Sequence, residues 1–533
     1  MATAPADPLE LALASARLAA VCDEMGAVLR HSAFSPNIRN RLDYSCAVFD
    51  AEGSLAAQAA HIPVHLGSMA YAMQGVVAAI AWQPSDVWVF NDPYLGGTHL
   101  PDVTLVAPVF LDGRFGDRPI AFVADRAHHA DIGSDTPGSM PIASRLDEEG
   151  MLIPPTRLVA GGVLDAALLA RFGASTRNPR QVEGDFAAQI AACRVGAVRV
   201  AALAADLEQR LGSLFDGGAF AAMLATLNDH AERLAAATLA AIPDGRYAFT
   251  DLLDDDGLGT RDLPIAVAIT VRSGRLTVDF TGTALQAAGN VNCPISVAAA
   301  GVLYCFRCLM PDEMPMCAGT FRAITLAAPL GCLVNAERPA AVAAGNVETS
   351  SRIVDAVFGA LAQACPERIP AASQGTMNNL AMGSAAPGRE WDYYETIGGG
   401  MGASPTTPGL SSVQTHMTNT RNSPIEVLEL GFPLRVRRYA RRQGSGGAGR
   451  HRGGDGIVRE LEFLAAATVT VLSERRARGP WGLAGGQAGA PGINRLNGDA
   501  QLGKFSWKVG AGDVLTIETP GGGGWGPPSD AAE

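Results

Sequence analysis

Leu11, Leu18, Val21, Met25, Val28 and Leu29 recur at helical spacing behind Pro8 and predict a helix over 8–31. The stretch DYSCAVFDAEGSLAAQAA reads as a strand, a tight turn at Glu52-Gly53 and a returning strand. It delivers the chain through HIPVHLGSM to a second helix expected over 67–82. A β-meander follows: DVWVF (86–90), VTLVAPVF (103–110) and PIAFVADRAHH (119–129). Residues 131–160, rich in Gly, Pro and Asp, predict a long irregular segment of the kind that often carries function. Helices dominate 180–241. IAVAITVRSGRLTVDFTGT then predicts a hairpin turning at Ser273-Gly274, and a helix is expected over 349–364. The last third is dense in glycine, in ETIGGGMGASPTTPG, GSGGAGRHRGGDG and ETPGGGGWGPP.

These patterns describe a multi-domain α+β chain of mixed, mostly antiparallel sheets with packed helices. At 533 residues it exceeds what one hydrophobic core sustains. The expected division is a metal-site domain over 1–241, a middle domain over 242–340 and a glycine-rich domain over 341–533.

Charge and composition narrow the function. A net charge of -12 argues against nucleic acid. The N-terminus lacks the basic start and apolar run of a signal peptide, and no stretch is apolar enough to span a membrane. With nine scattered cysteines, a cytoplasmic protein with reduced thiols is expected. Cys305 and Cys308 have CxxC spacing without a second ligand pair, and read as buried helix cysteines. Lys504 and Lys508 are the only lysines, and no GxxxxGK[ST] loop occurs, so any ATP must be held another way. GSGGAG leads into a strand pattern rather than a helix, which excludes a dinucleotide fingerprint. TPGGGGWG reads as a flexible tail or a close backbone contact with a partner.

The candidate chemistry sits in NDPYLGGTHLPDVTLV, which places His99 and Asp102 on a glycine-rich loop between strands. An antiparallel return brings His128 and His129 to the same sheet end. The upstream hairpin likewise puts Asp43 near His61 and His65. If the two ends face one another, Asp43, His99, Asp102 and His128 form one cluster. Imidazole and carboxylate together suit one divalent ion, Mn, Zn or Fe. For either HxxD alone (His99 to Asp102, His128 to Asp131), ordinary turn hydrogen bonding is the competing reading. His416 and Glu395 lie in polar stretches that could line a pocket, or simply satisfy turns.

LDYSCAVFD, HIPVHLGSM, NDPYLGGTHLPDVTLV, HHADIG, EEGMLIPPTRLV, GNVETSSRIVDAVFGAL, YYETIGGGMGA, THMTNTRNSPIEVLE and TPGGGGWG, in this order, resemble hydantoinase B. This is the B-type subunit or half of ATP-dependent oxoprolinases and N-methylhydantoinases. It is also similar to the metal-bearing subunits of acetone and acetophenone carboxylases. The resemblance implies a hydantoinase A-type partner that binds ATP and Mg and phosphorylates the substrate, in a hetero-oligomer. The B-type partner then opens a small cyclic amide such as a hydantoin or 5-oxoproline ring. The alternatives are a ketone carboxylase subunit and a non-catalytic scaffold that docks a partner through the glycine-rich third. The family's metal ligands carry over to His99, Asp102 and His128, and less directly to Asp43. His65 and His129 are the acid–base or supporting candidates. Cys317 stands where the family suggests Asn, and Ser134 where Gly is commoner.

Overall fold

The computed structural model describes residues 8–59, 62–111, 118–212 and 218–528, and every structural statement concerns those residues. His61 lies outside them. Helix α1 (Pro8–Ser32) and the short α2 (Pro36–Arg39) lead into strands β1 (Tyr44–Asp50) and β2 (Leu55–Gln58). Helix α3 (Pro63–Ala79) begins ahead of the expected position 67. Proline lacks the N–H that a helix start leaves unused, so Pro63 opens the helix, and PVHLGSM belongs to it. His65 therefore sits in its first turn.

Strands β3 (Val87–Phe90), β4 (Asp102–Val109), β5 (Ala121–His128), β6 (Thr156–Ala160) and β7 (Val163–Leu164) complete one seven-stranded sheet. Its order is β2-β1-β5-β4-β3-β6-β7. The hairpin and the meander, expected as two facing sheet ends, are neighbours: β1 pairs antiparallel with β5. Most of 131–160 is irregular, as expected, but it closes in β6.

Helix α4 (Ala166–Ala174) precedes the long α5 (Pro179–Leu211) and α6 (Ala219–Leu239). The sheet is covered on both faces. Cys46, Val48, Leu105 and Val123 share a core with α1 and α5, whereas Ala47, Phe49, Val106 and Phe122 pack on Met69 and Met73 of α3. Burial on both faces explains why VTLVAPVF is apolar at every position but Thr104 rather than alternating. Each large side chain so buried contributes about 2 kcal/mol.

Strands β8 (Gly245–Asp255), β9 (Arg261–Arg272), β10 (Arg275–Asp279) and β11 (Ile324–Ala327) form a second sheet. Ser273 and Gly274 make its hairpin turn, both at positive φ. Helices α7 (Ile295–Arg307) and α8 (Ser350–Ala364) pack together beside it. Cys305 is buried in α7, but Cys308 is exposed because the helix ends at Arg307. None of the nine cysteines is in a disulfide. Strands β12 (Asn379–Ser384) and β13 (Trp391–Glu395) join Ala467–Leu472 and Lys504–Val509 in a third sheet, and a five-stranded sheet completes the chain. No helix among the described residues is long and apolar enough to cross a membrane.

The glycine-rich segments interlock rather than hang free. Gly522 N donates to Gly454 O, Gly447 N to Gly522 O, and Gly523 N to Ala372 O, all within 2.8–2.9 Å. A Cβ at Gly521, Gly522, Gly523 or Gly524 would lie 2.0–2.1 Å from a backbone oxygen of another segment. TPGGGGWG is thus not a tail, and its close backbone contacts are made with other segments of this chain rather than with a partner. GSGGAG leads into the strand Gly456–Phe463, as the exclusion of a dinucleotide site requires.

One buried carboxyl ties the irregular segment to the second half of the chain. Glu149 Oε1 accepts from Val342 N at 2.9 Å and Ala343 N at 2.8 Å, and Oε2 has no partner. Burial outweighs these two donors and pushes its pKa up to about 8. The unfolded chain releases this proton near 4.5 and the folded chain near 8. The stability Glu149 supplies is therefore full below 4.5 and lost as pH rises toward 8. Glu149→Gln, which cannot ionise, is expected to flatten the fall of stability between pH 5 and 8, measured by urea melts across that range. An unchanged slope would mean that the carboxyl is ionised in the fold.

Candidate functional site

Strand alternation assembles the site. Asp102 and His128 are directly paired across β4 and β5, and His128 N donates to Asp43 O at 3.0 Å. Because side chains alternate along a strand, Asp102, Thr104, Arg126 and His128 share the face covered by α3. Arg126 confirms it by donating to Thr104 Oγ1 and Ser68 Oγ. His65, from the first turn of α3, meets them there. His129, one position on, takes the other face, where Nε2 lies 2.9 Å from Gln189 Oε1 of α5 and the ring packs on Phe186. The structure does not bring His129 into the cluster.

One ligand-capable atom each from His99, Asp102 and His128 falls within 4.8 Å of the others, and all three residues are buried. His99 and His128 rings stand edge to face with centroids 5.0 Å apart, and His99 Nε2 is 3.4 Å from Asp102 Oδ1. The carboxylate is divided. Its Oδ2 is engaged by Thr98 Oγ1 and by His65 Nε2 at 3.1 Å. Its Oδ1 has no hydrogen-bond partner, and neither do both nitrogens of His99 or Nε2 of His128. Unpaired buried polar atoms are costly. Their convergence fits a cation and fits no hydrogen-bond network among the described residues.

Electrostatics agree. Burial opposes ionisation of Asp102, but His65 and His99 outweigh it and hold the carboxyl well below the usual range. Burial, then His99, pushes the His128 pKa well down, which leaves a neutral ring with a lone pair to offer. Asp43 stands beside this group rather than in it. Its oxygens are 4.0 Å from His65 Nε2 and 3.7 Å from Arg41 Nη2. Burial raises its pKa against the pull of Arg41 and His65.

Sequence reading missed the opposite wall. Tyr394 of β13 stacks on His128 at 4.7 Å and 3°, and Arg41 lies over the Tyr394 ring and donates to its carbonyl. A cavity of about 20 Å³, room for a water or two, lies between Asp43, His65, His128, Asn346, Tyr394 and Thr418. The signal was present in YYETIGGG and THMTNTRNSP, but at neighbours of the residues chosen. Glu395 instead pairs with Arg459 at 3.1 Å, and His416 lies 3.5 Å from Asp355. Cys317 and Ser134 do not line the cavity.

Comparison with known proteins matches residues 7–528 to the family described as Hydantoinase B/oxoprolinase. The chain is 38% identical over 561 residues to 5-oxoprolinase 1 of Arabidopsis thaliana, covering 98% of this chain and 42% of that protein. It thus spans about two fifths of the length of the 5-oxoprolinases it matches. It is 31% identical to the B-type subunit of a candidate D-/L-hydantoinase from Pseudomonas sp. (strain NS671), covering 98% and 90% of the two chains. Among solved structures, the ATP-dependent caprolactamase of Pseudomonas jessenii superposes with a TM-score of 0.87 at 28% identity, covering 98% and 92%. An acetone carboxylase shares the fold, with a TM-score of 0.87 at 19% identity over 98% and 76%. The mixed helices and antiparallel sheets and the near full-length matches agree: the chain belongs to the hydantoinase B/oxoprolinase family.

Proposed function

We propose that this chain is the B-type component of an ATP-dependent cyclic-amide hydrolase that opens a lactam or hydantoin ring activated by an A-type partner. The carrying observation is the convergence of unpartnered, buried atoms of His99, Asp102 and His128 at one point. The 5-oxoprolinase, hydantoinase and caprolactamase likenesses support the substrate class. The likeness to acetone carboxylase, at 19% identity, supports the fold alone, so the hydrolase is preferred to the ketone carboxylase. Nine cysteines with no disulfide among them favour a cytoplasmic setting.

In this reading His99, Asp102 and His128 hold one divalent ion, with Asp43 beside His65 at the edge of the group. When bound, the ion supplies Lewis-acid polarisation of an oxygen. The chain's own residues prepare the site. Ser45 Oγ accepts from Ile62 N and lies 3.4 Å from His65 Nδ1, while His65 Nε2, 3.1 Å from Asp102 Oδ2, donates to that carboxylate oxygen. His65 is therefore a positioning residue that fixes which carboxylate oxygen faces the ion. The Asn37 amide lies 3.2 Å from His128 Nδ1. Arg41 Nη1 donates to Asn37 Oδ1 at 3.4 Å, which orients the amide with its Nδ2 toward His128 Nδ1 and fixes the plane of that ring. His129 takes no part.

ATP belongs to the partner in this proposal. Lys504, one of two lysines, is fully buried and paired with Glu474 at 2.6 Å. The purified chain is expected to release no phosphate from ATP. Mixed with its partner it should do so in step with ring opening, scored on 5-oxoproline, hydantoin and caprolactam against ketone plus bicarbonate. Carboxylation without ring opening would replace the reading by the carboxylase. ATP hydrolysis by the chain alone would remove the division of labour.

A further inference from the structure

Immediately before α8 the backbone leaves α-helical winding for a π turn over Gly345–Thr349, a rare form that recurs at functional sites. Gly345 presses on the Asn292 carbonyl so closely that a Cβ would meet its oxygen at 1.8 Å. Thr349 Oγ1 donates to Val291 O and Ser350 Oγ to Asn346 O, pinning the turn from both ends. Glu348 Oε1 accepts from Asn379 Nδ2 at 2.8 Å and Met377 N at 3.2 Å. Asn346, in this turn, lines the cavity together with His65 and His128. It is 3% exposed, and its Oδ1 has no hydrogen-bond partner.

This atom stands out among the cavity's walls. Thr396, Thr418 and Thr420 hydrogen-bond to one another. The other unpartnered buried side-chain atom lining the cavity is His128 Nε2, which belongs to the ligand cluster. An orphaned amide oxygen is expensive to bury, so a donor is required. The space offers about 20 Å³, which admits a water and excludes a five-membered ring.

We propose that Asn346 is a positioning residue that accepts a hydrogen bond from the water consumed in ring opening and holds it beside His99, Asp102 and His128. The assignment rests on the cyclic-amide reading above. With one O–H tied to Asn346 Oδ1, the water presents its lone pairs away from the π turn, toward the space a reacting carbon must enter.

The test compares wild type, Asn346→Leu and Asn346→Asp, each as the full metal-loaded chain. High-resolution crystal structures should show a water within hydrogen-bond distance of Oδ1 in wild type, none in Asn346→Leu, and its return in Asn346→Asp. In complex with the ATP-binding partner, Asn346→Leu should lose roughly a hundredfold in kcat for ring opening. Its KM should stay within about twofold, because a held water does not bind substrate. Rings opened per ATP spent should fall, metal content should not, and Asn346→Asp should recover much of the coupling. A dry site in a wild-type complex that opens lactams overturns the water assignment alone. A raised KM with kcat unchanged, absent on an N-methylated lactam, overturns it in favour of a contact to the ring N–H. A wild-type complex that opens no lactam, with the water in place, refutes the cyclic-amide reading and with it the role given to this water.

Discussion

Replacing His99 by alanine is expected to strip the chain of its divalent metal and leave it folded. Neither buried His99 nitrogen makes a hydrogen bond, so removing the ring costs the chain only the 3.4 Å approach of Nε2 to Asp102 Oδ1. Structural zinc sites bind with about 10–16 kcal/mol shared among their ligands, so one ligand lost costs at least about a hundredfold in affinity. Elemental analysis should find close to one Mn, Fe or Zn per wild-type chain and under about a tenth of that in His99→Ala. Melted without metal, the two proteins should differ by about 2 kcal/mol or less, the cavity left by the ring being the main cost. Adding metal should raise the wild-type midpoint and leave the variant unmoved. Asp102→Ala makes the useful contrast. It also loses metal, but it strands His65 Nε2 and Thr98 Oγ1 and should be destabilised by about 1–3 kcal/mol more. Wild type without metal would refute the cation site. Equal metal in wild type and His99→Ala would refute this ligand.

How much of this could be read from the chain depended on period. Runs with clean periodicity, the 8–31 helix and the meander, gave their elements and the pairing of Asp102 with His128. The same period, taken one step further, separates His128 from His129, since adjacent strand residues face opposite ways. Proximity in sequence had suggested that both serve one site. The start of α3 was misread because its first turn is apolar and polar at once, and Pro63 was the cue that placed His65 on a helix. What was not legible was contact between distant segments. Nothing local to Tyr394 or Asn346 says that they meet His128 and His65, because those residues lie far upstream in the first sheet and its covering helix. The wall they build follows from how the third sheet packs on the first.

The glycine stack is where that packing is least tolerant, and Gly522→Ala should be among the most damaging single-methyl changes in the chain. A Cβ there would sit 2.0 Å from Met401 O and 2.3 Å from Met401 C, with Gly402 N at 2.7 Å. All three are backbone atoms, so no rotamer change relieves the clash. The backbone itself is fixed by Gly522 N to Gly454 O at 2.9 Å and Gly447 N to Gly522 O at 2.8 Å. Separating these segments forfeits such bonds on both sides, and the cost should exceed about 4 kcal/mol. Gly75→Ala provides the control with the opposite sign. It lies exposed inside α3 with nothing within 4 Å of its Cβ, so the same methyl should stabilise by about 0.5–1 kcal/mol. Urea melts of the two variants decide the matter, and a Gly522→Ala chain within about 1 kcal/mol of wild type would mean that the stack is loosely packed. The effect should reach the site as well. The segment from Tyr394 to Gly402 runs from the ring stacked on His128 directly into the stack. Where Gly522→Ala still folds, its metal content should therefore fall although no ligand has been touched.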